Sequence, residues 1–100
     1  MKAVFHVYLY KYEDGFGFKI QRRDIKFYGV TPEDLNGKPF EIRRMGDPVP
    51  IEATDLVFAK SGNNTYGSFK SKQCMAGDLV RVDVDVNDGI LRDLVVTDDE

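Results

Sequence analysis

The sequence predicts an all-β fold, a small closed or partly open barrel of five to seven antiparallel strands with at most one short helical turn. Three observations predict it. Apolar and polar residues alternate with period two over several short runs. Gly, Pro, Asn and Asp punctuate those runs at turn-sized intervals. No stretch longer than one turn carries helical spacing. With 100 residues, the chain has the length of one domain, assigned to 1–97 with Asp98-Asp99-Glu100 as a short acidic tail. Closure is favoured over a sandwich because a short chain has difficulty protecting the edges of two separate sheets.

Taking the elements in order, Lys2 to Tyr12 is dense in aromatic and β-branched residues and alternates, which is the strand signal. Asp14-Gly15 follows. An Asp-Gly pair between alternating runs marks a type I′ hairpin turn, whose two central residues need positive φ. Residues 3–13 are therefore expected to pair with 16–26. That register sets Tyr10 opposite Lys19, Tyr8 opposite Gln21 and His6 opposite Arg23 on one face, and Leu9 opposite Ile20 on the other, with Phe5, Val7 and Phe18. Thr31-Pro32-Glu33-Asp34 reads as a helix start, with Pro at the first helical position and acids in the first turn. Phe40 to Arg44, Asp55 to Lys60 and Tyr66 to Lys70 read as short strands separated by Gly46-Asp47-Pro48-Val49-Pro50 and Ser61-Gly62-Asn63-Asn64-Thr65. Leu79 to Val86 alternates valine with charged residues, and Asn87-Asp88-Gly89 before the run at 90–97 predicts a second hairpin.

The composition, 42% hydrophobic and 31% charged, is that of an ordered water-soluble domain without a membrane span. The start lacks a secretory pattern, so a cytoplasmic location is expected. A single cysteine, Cys74, excludes an internal disulfide and a thiolate zinc cage. The one histidine, His6, has no second imidazole with which to build a metal site, and neither it nor Cys74 has a partner for nucleophilic catalysis. No enzyme, cofactor or metal is expected. Asp83 to Gly89 has the outline of a calcium loop, but the glycine falls at the seventh position and Leu94 occupies the twelfth.

The net charge of −3 averages two unlike regions. Residues 1–72 hold 12 Lys and Arg against 9 Asp and Glu, whereas residues 73–100 hold 2 against 8. The basic part carries a row of His6, Tyr8, Tyr10 and Tyr12 beside Lys19, Gln21 and Arg23. Single-stranded nucleic acid suits such a surface, because bases stack on aromatic planes for about 1–3 kcal/mol each while Lys and Arg neutralise phosphates. Tyr8, Tyr10 and Tyr12 are the expected stacking residues. Lys19, Arg22, Arg23, Lys26, Lys70 and Lys72 are the expected phosphate contacts, with the Gln21 amide beside them, although the register turns Arg22 toward the core side opposite Val7. Ser61 to Lys72, with Tyr66 and Phe69, reads as a basic arm over the ligand or as an ordinary hairpin.

Asp14-Gly15-Phe16-Gly17-Phe18 resembles the Lys-Gly-Phe-Gly-Phe motif of cold-shock domains, small OB-type barrels that bind single-stranded DNA and RNA. Thr31 to Asp34 resembles the segment after that motif, and Gly77-Asp78 with Val80, Val82 and Val84 is similar to the family's late strand. The chain departs from the family in carrying Asp14 for Lys, in the 12 residues Lys19 to Val30 where the family has about one, in lacking Phe-Val-His-Phe, and in having no Trp. The resemblance implies an OB-like barrel and makes Phe16 and Phe18 stacking residues, whereas the hairpin register puts both inside. Small phage-type single-stranded-DNA-binding proteins are similar in general character.

The sequence thus leads to a sequence-tolerant single-stranded nucleic-acid-binding protein, DNA ahead of RNA. The alternative is an acidic interaction or inhibitor module, a DNA mimic of the mobile-element type, that meets a basic protein through Asp83, Asp85, Asp88 and Asp93. A homodimer is compatible with both, as is a protein partner for the acidic C-terminal region.

Overall fold

The computed structural model describes residues 2–21, 23–24, 29 and 31–85. It has seven strands and one whole helix: β1 Lys2–Tyr8, β2 Tyr10–Tyr12, β3 Gly15–Ile20, α1 Pro32–Leu35, β4 Phe40–Arg44, β5 Thr54–Ser61, β6 Asn64–Lys70 and β7 Leu79–Asp85. Among the described residues none forms a helix long and apolar enough to cross a membrane. The strands form two antiparallel sheets. Sheet A has the order β1-β7-β4, and sheet B the order β2-β3-β6-β5. The all-β class holds, but among the described residues no ladder joins the sheets into the closed ring expected from the sequence.

Alternation explains which face of each strand turns inward. Ala3, Phe5 and Val7 of β1, Val80, Val82 and Val84 of β7 and Ile42 of β4 are buried on sheet A; Phe16, Phe18 and Ile20 of β3, Phe69 of β6 and Phe58 of β5 are buried on sheet B. Five phenylalanines form a chain of ring contacts, in which Phe5 and Phe58 bridge the layers. Phe58 meets Phe5 at 6.4 Å and Phe18 at 6.0 Å, and Phe69 meets Phe16 and Phe18 at 6.1 Å each between ring centroids. These tilted and edge-on separations lie in the favourable range for aromatic pairs.

The sheets share one chain segment. The first alternating run, expected as one strand, breaks at the buried Leu9, whose N–H donates to Asp78 and whose carbonyl accepts from Gly77. Residues 2–8 therefore pair with β7, from Lys2↔Asp85 to Tyr8↔Leu79, while residues 10–12 turn into sheet B. The hairpin also closes one residue early. Tyr12 faces Gly15 and Tyr10 faces Gly17, with Glu13-Asp14 as the loop and Glu13 at φ 52°. Gly15 is a strand residue, and its glycine identity answers a different need. A Cβ there would lie 2.3 Å from the Phe69 carbonyl oxygen, so only glycine lets β3 approach β6 this closely.

The helix start at Thr31 is as expected. The Thr31 N–H donates to the Asp34 carboxylate at 3.0 Å, Pro32 occupies the first turn, and Leu35 is buried. Asn36 then shields the edge of β5, its Oδ1 accepting from the Phe58 N–H at 2.7 Å and its Nδ2 donating to the Phe58 carbonyl at 3.1 Å. One side-chain amide thereby satisfies backbone groups that an edge strand leaves open. β7 has β1 on one side and β4 on the other, so between Val80 and Val84 no edge is left for the predicted second hairpin. Its return strand at 90–97, the turn with Asp88, Asp93 and the acidic tail lie outside the described residues.

Candidate functional site

The outward face of sheet B is built from the residues that alternate with the buried phenylalanines. Its rows follow from the register. Tyr10, Gly17, Ser68 and Val57 lie across the four strands, and Lys19, Tyr66 and Ala59 form the next row. The small residues Ala59, Gly67 and Ser68 floor a depression of about 460 Å³, bounded by Tyr10, Tyr12 and Tyr66 and by Val57 and Ser61. That volume is in the usual range for small-molecule sites.

Tyr10 owes its pose to Gly17. Its ring lies across the glycine so closely that a Cβ at position 17 would stand 2.7 Å from Cε2 and 2.8 Å from Cζ. The ring is thus seated on the sheet at the border of the depression. Burial, followed by the neighbouring Tyr66 and Tyr12 hydroxyls, holds the Tyr10 hydroxyl above its ordinary pKa.

The cations are unevenly placed. Lys19 stands beside Tyr66 and makes no ion pair among the described residues. Lys70 shares the face, but its Nζ is 3.3 Å from Asp14 and 3.9 Å from Asp55. The Lys70 hydrogen bond is the main cause holding the Asp14 carboxyl below its ordinary range. Lys11 turns the other way, its Nζ 5.4 Å from the centroid of Phe16.

The structure divides the predicted site. Tyr10, Tyr12, Lys19 and Lys70 share the outer face of sheet B, whereas Tyr8, 69% exposed, belongs to the outer face of sheet A opposite Leu79. The predicted tyrosine row is therefore split between the sheets. Lys19 opposes Tyr66 instead of standing across from Tyr10, and His6 opposes Arg81 instead of Arg23. Gln21 is exposed beyond the end of β3, Arg23 is exposed in a helical conformation, and Lys72 lines another depression with Arg44 and Met75. Arg22 and Lys26 lie outside the described residues. Phe16 and Phe18, stacking residues by the cold-shock resemblance, are 7% and 0% exposed, as the hairpin's apolar face required. The arm at 61–72 is largely the β5–β6 hairpin with its tip at Gly62-Asn63. Tyr66, noted in the sequence only as part of that arm, emerges as the third ring of the cluster; the outward small residues Ala59 and Ser68 were the signal for the depression, and Gly17 for the seat of the Tyr10 ring.

The acidic alternative fares differently. On the outer face of sheet A, Arg43 opposes Arg81 and Glu41 opposes Asp83. Each like-charged pair is relieved along its own strand, Arg43 to Glu41 at 2.8 Å and Arg81 to Asp83 at 2.7 Å. Asp83 is only 6% exposed. It is a buried partner of Arg81 and no free acidic contact, whereas Asp85 is exposed. Cys74 is partly buried, and burial is the main cause pushing its thiol pKa up. Among the described residues no group of three His, Cys, Asp or Glu is placed to hold a metal.

No family model, curated protein or solved structure matches this chain.

Proposed function

We propose that the outer face of sheet B binds single-stranded nucleic acid in a sequence-tolerant way, by stacking bases on its tyrosines. The observation that supports this reading is the convergence of Tyr10, Tyr12 and Tyr66 on one depression floored by small residues. Rings held by a sheet lose little freedom on binding, and every base has a face to stack. Lys19 supplies a phosphate contact beside Tyr66.

The chain has five Tyr and no Trp, and three of the five line the site, so tyrosine emission responds to its occupation. Titration with oligo-dT and oligo-rU at low salt is expected to quench it. Tyr10→Ala and Tyr66→Ala should each weaken binding about 5- to 150-fold, corresponding to about 1–3 kcal/mol per stacked base. Tyr8→Ala, on the other sheet, should leave affinity unchanged. Absence of binding by the unaltered protein rejects the reading; binding that depends on Tyr8 and ignores Tyr10 and Tyr66 rejects the site.

A further inference from the structure

We infer that the depression receives the end of a nucleic-acid strand in preference to its interior, with the terminal base on the tyrosines and its phosphate at Lys19. This inference rests on the reading above and adds a direction to it. On either side of the depression the outer face of sheet B carries opposite charge. At the row of Tyr66 stands Lys19, a cation with no ion pair among the described residues. Past Tyr12, toward the Glu13-Asp14 loop and the bulge that places Asp55 at φ 58°, the lone ammonium of Lys70 stands among three carboxylates, Glu13, Asp14 and Asp55. The lining residues on that side are net negative by two charges, and Lys11 acts on Asp14 only from the other face of the sheet, beside Phe16.

Lys19 and Gly15 mark the two ends of β3 on this face, about 13 Å apart at the usual rise per strand residue. A strand threading the depression presents a phosphate on each side of the stacked base. One meets Lys19. The other has to sit on the carboxylate side, where Lys70 is already neutralised. Two uncompensated charges at about 7 Å in a watery surround disfavour that phosphate by about tenfold at low salt. A strand terminus avoids the conflict, because nothing need continue past its last base.

The test compares linear oligo-dT with a covalently closed circle of equal length, which has no end, again by tyrosine emission. The linear form is expected to bind about tenfold more tightly at low salt. In the double variant Asp14→Asn, Asp55→Asn the circle should approach the linear form; asparagine tolerates the left-handed backbone at position 55, so the bulge is kept. Lys19→Gln should weaken linear binding and reduce the salt slope by about 0.7, the single-strand value for one phosphate. Equal affinity of circle and linear strand for the unaltered protein overturns the inference while leaving nucleic-acid binding in place. A linear preference that survives the double variant also overturns it. Failure of the linear strand to bind at all rejects the parent reading.

Discussion

Phe18→Ala is expected to cost about 3–5 kcal/mol of unfolding free energy, the range for deleting a buried aromatic ring. For a domain of this size that lowers the melting temperature by about 4–8 °C per kcal/mol. The ring is fully buried, edge-on to Phe58 and tilted against Phe69. The space it fills exists because position 67 has no side chain, since a Cβ there would stand 2.2 Å from the Phe18 Cζ. Gly67→Ala should therefore be destabilising on its own, by about 1–3 kcal/mol of overpacking. Combined with Phe18→Leu, the pair should be more stable than the sum of the two single changes predicts by at least about 1 kcal/mol. Urea denaturation of the four proteins measures this cycle, and simple additivity would contradict the packing described.

The second large effect belongs to the outer face of sheet A. Arg81→Met removes the guanidinium that donates to Asp83 at 2.7 Å and leaves that carboxylate buried without its partner. Breaking one side of a buried ion pair costs about 3–5 kcal/mol; Arg81 is itself 46% exposed, so the expected loss is nearer 2–3 kcal/mol. Arg81→Met with Asp83→Leu should recover most of it, because no uncompensated charge remains. If both variants melt alike, the pair carries no such dependence. Charge reversal at Asp83 will accordingly read out as loss of fold, so experiments on an acidic docking surface belong at the exposed Asp85.

Much of this architecture was legible because alternation reports directly on which side chains face inward. The strand at Phe40–Arg44 has its predicted limits, and those at 54–61, 64–70 and 79–85 begin or end within two residues of expectation. Phe16 and Phe18 were placed inside by parity, and parity survived the error in register. The expected pairing of Tyr10 with Lys19 and the observed pairing with Gly17 differ by two residues, which keeps every face while changing every neighbour. Alternation does not name a partner strand, however. Nothing local in Tyr8-Leu9-Tyr10 announces that the chain leaves one sheet for another, because the bonds that turn it come from Gly77 and Asp78, far along the sequence. Gly15 misled for a related reason. Glycine serves positive φ and close approach alike, and only the Phe69 carbonyl beyond it distinguishes the two.

The pairing of Lys2 with Asp85 and Tyr8 with Leu79 also sets an order of events on the ribosome. β1 cannot find its sheet partner until β7, about 70 to 80 residues later in the chain, has been made. At a translation speed of about 5–20 residues per second this is a delay of about 4–16 s. For that time the nascent Phe5 and Val7 have no completed layer to enter, although the β5–β6 hairpin can already form from neighbouring residues. Slow codons between the two strands would prolong the interval, making yield in the cell sensitive to elongation rate and chaperone supply even where the finished protein is stable.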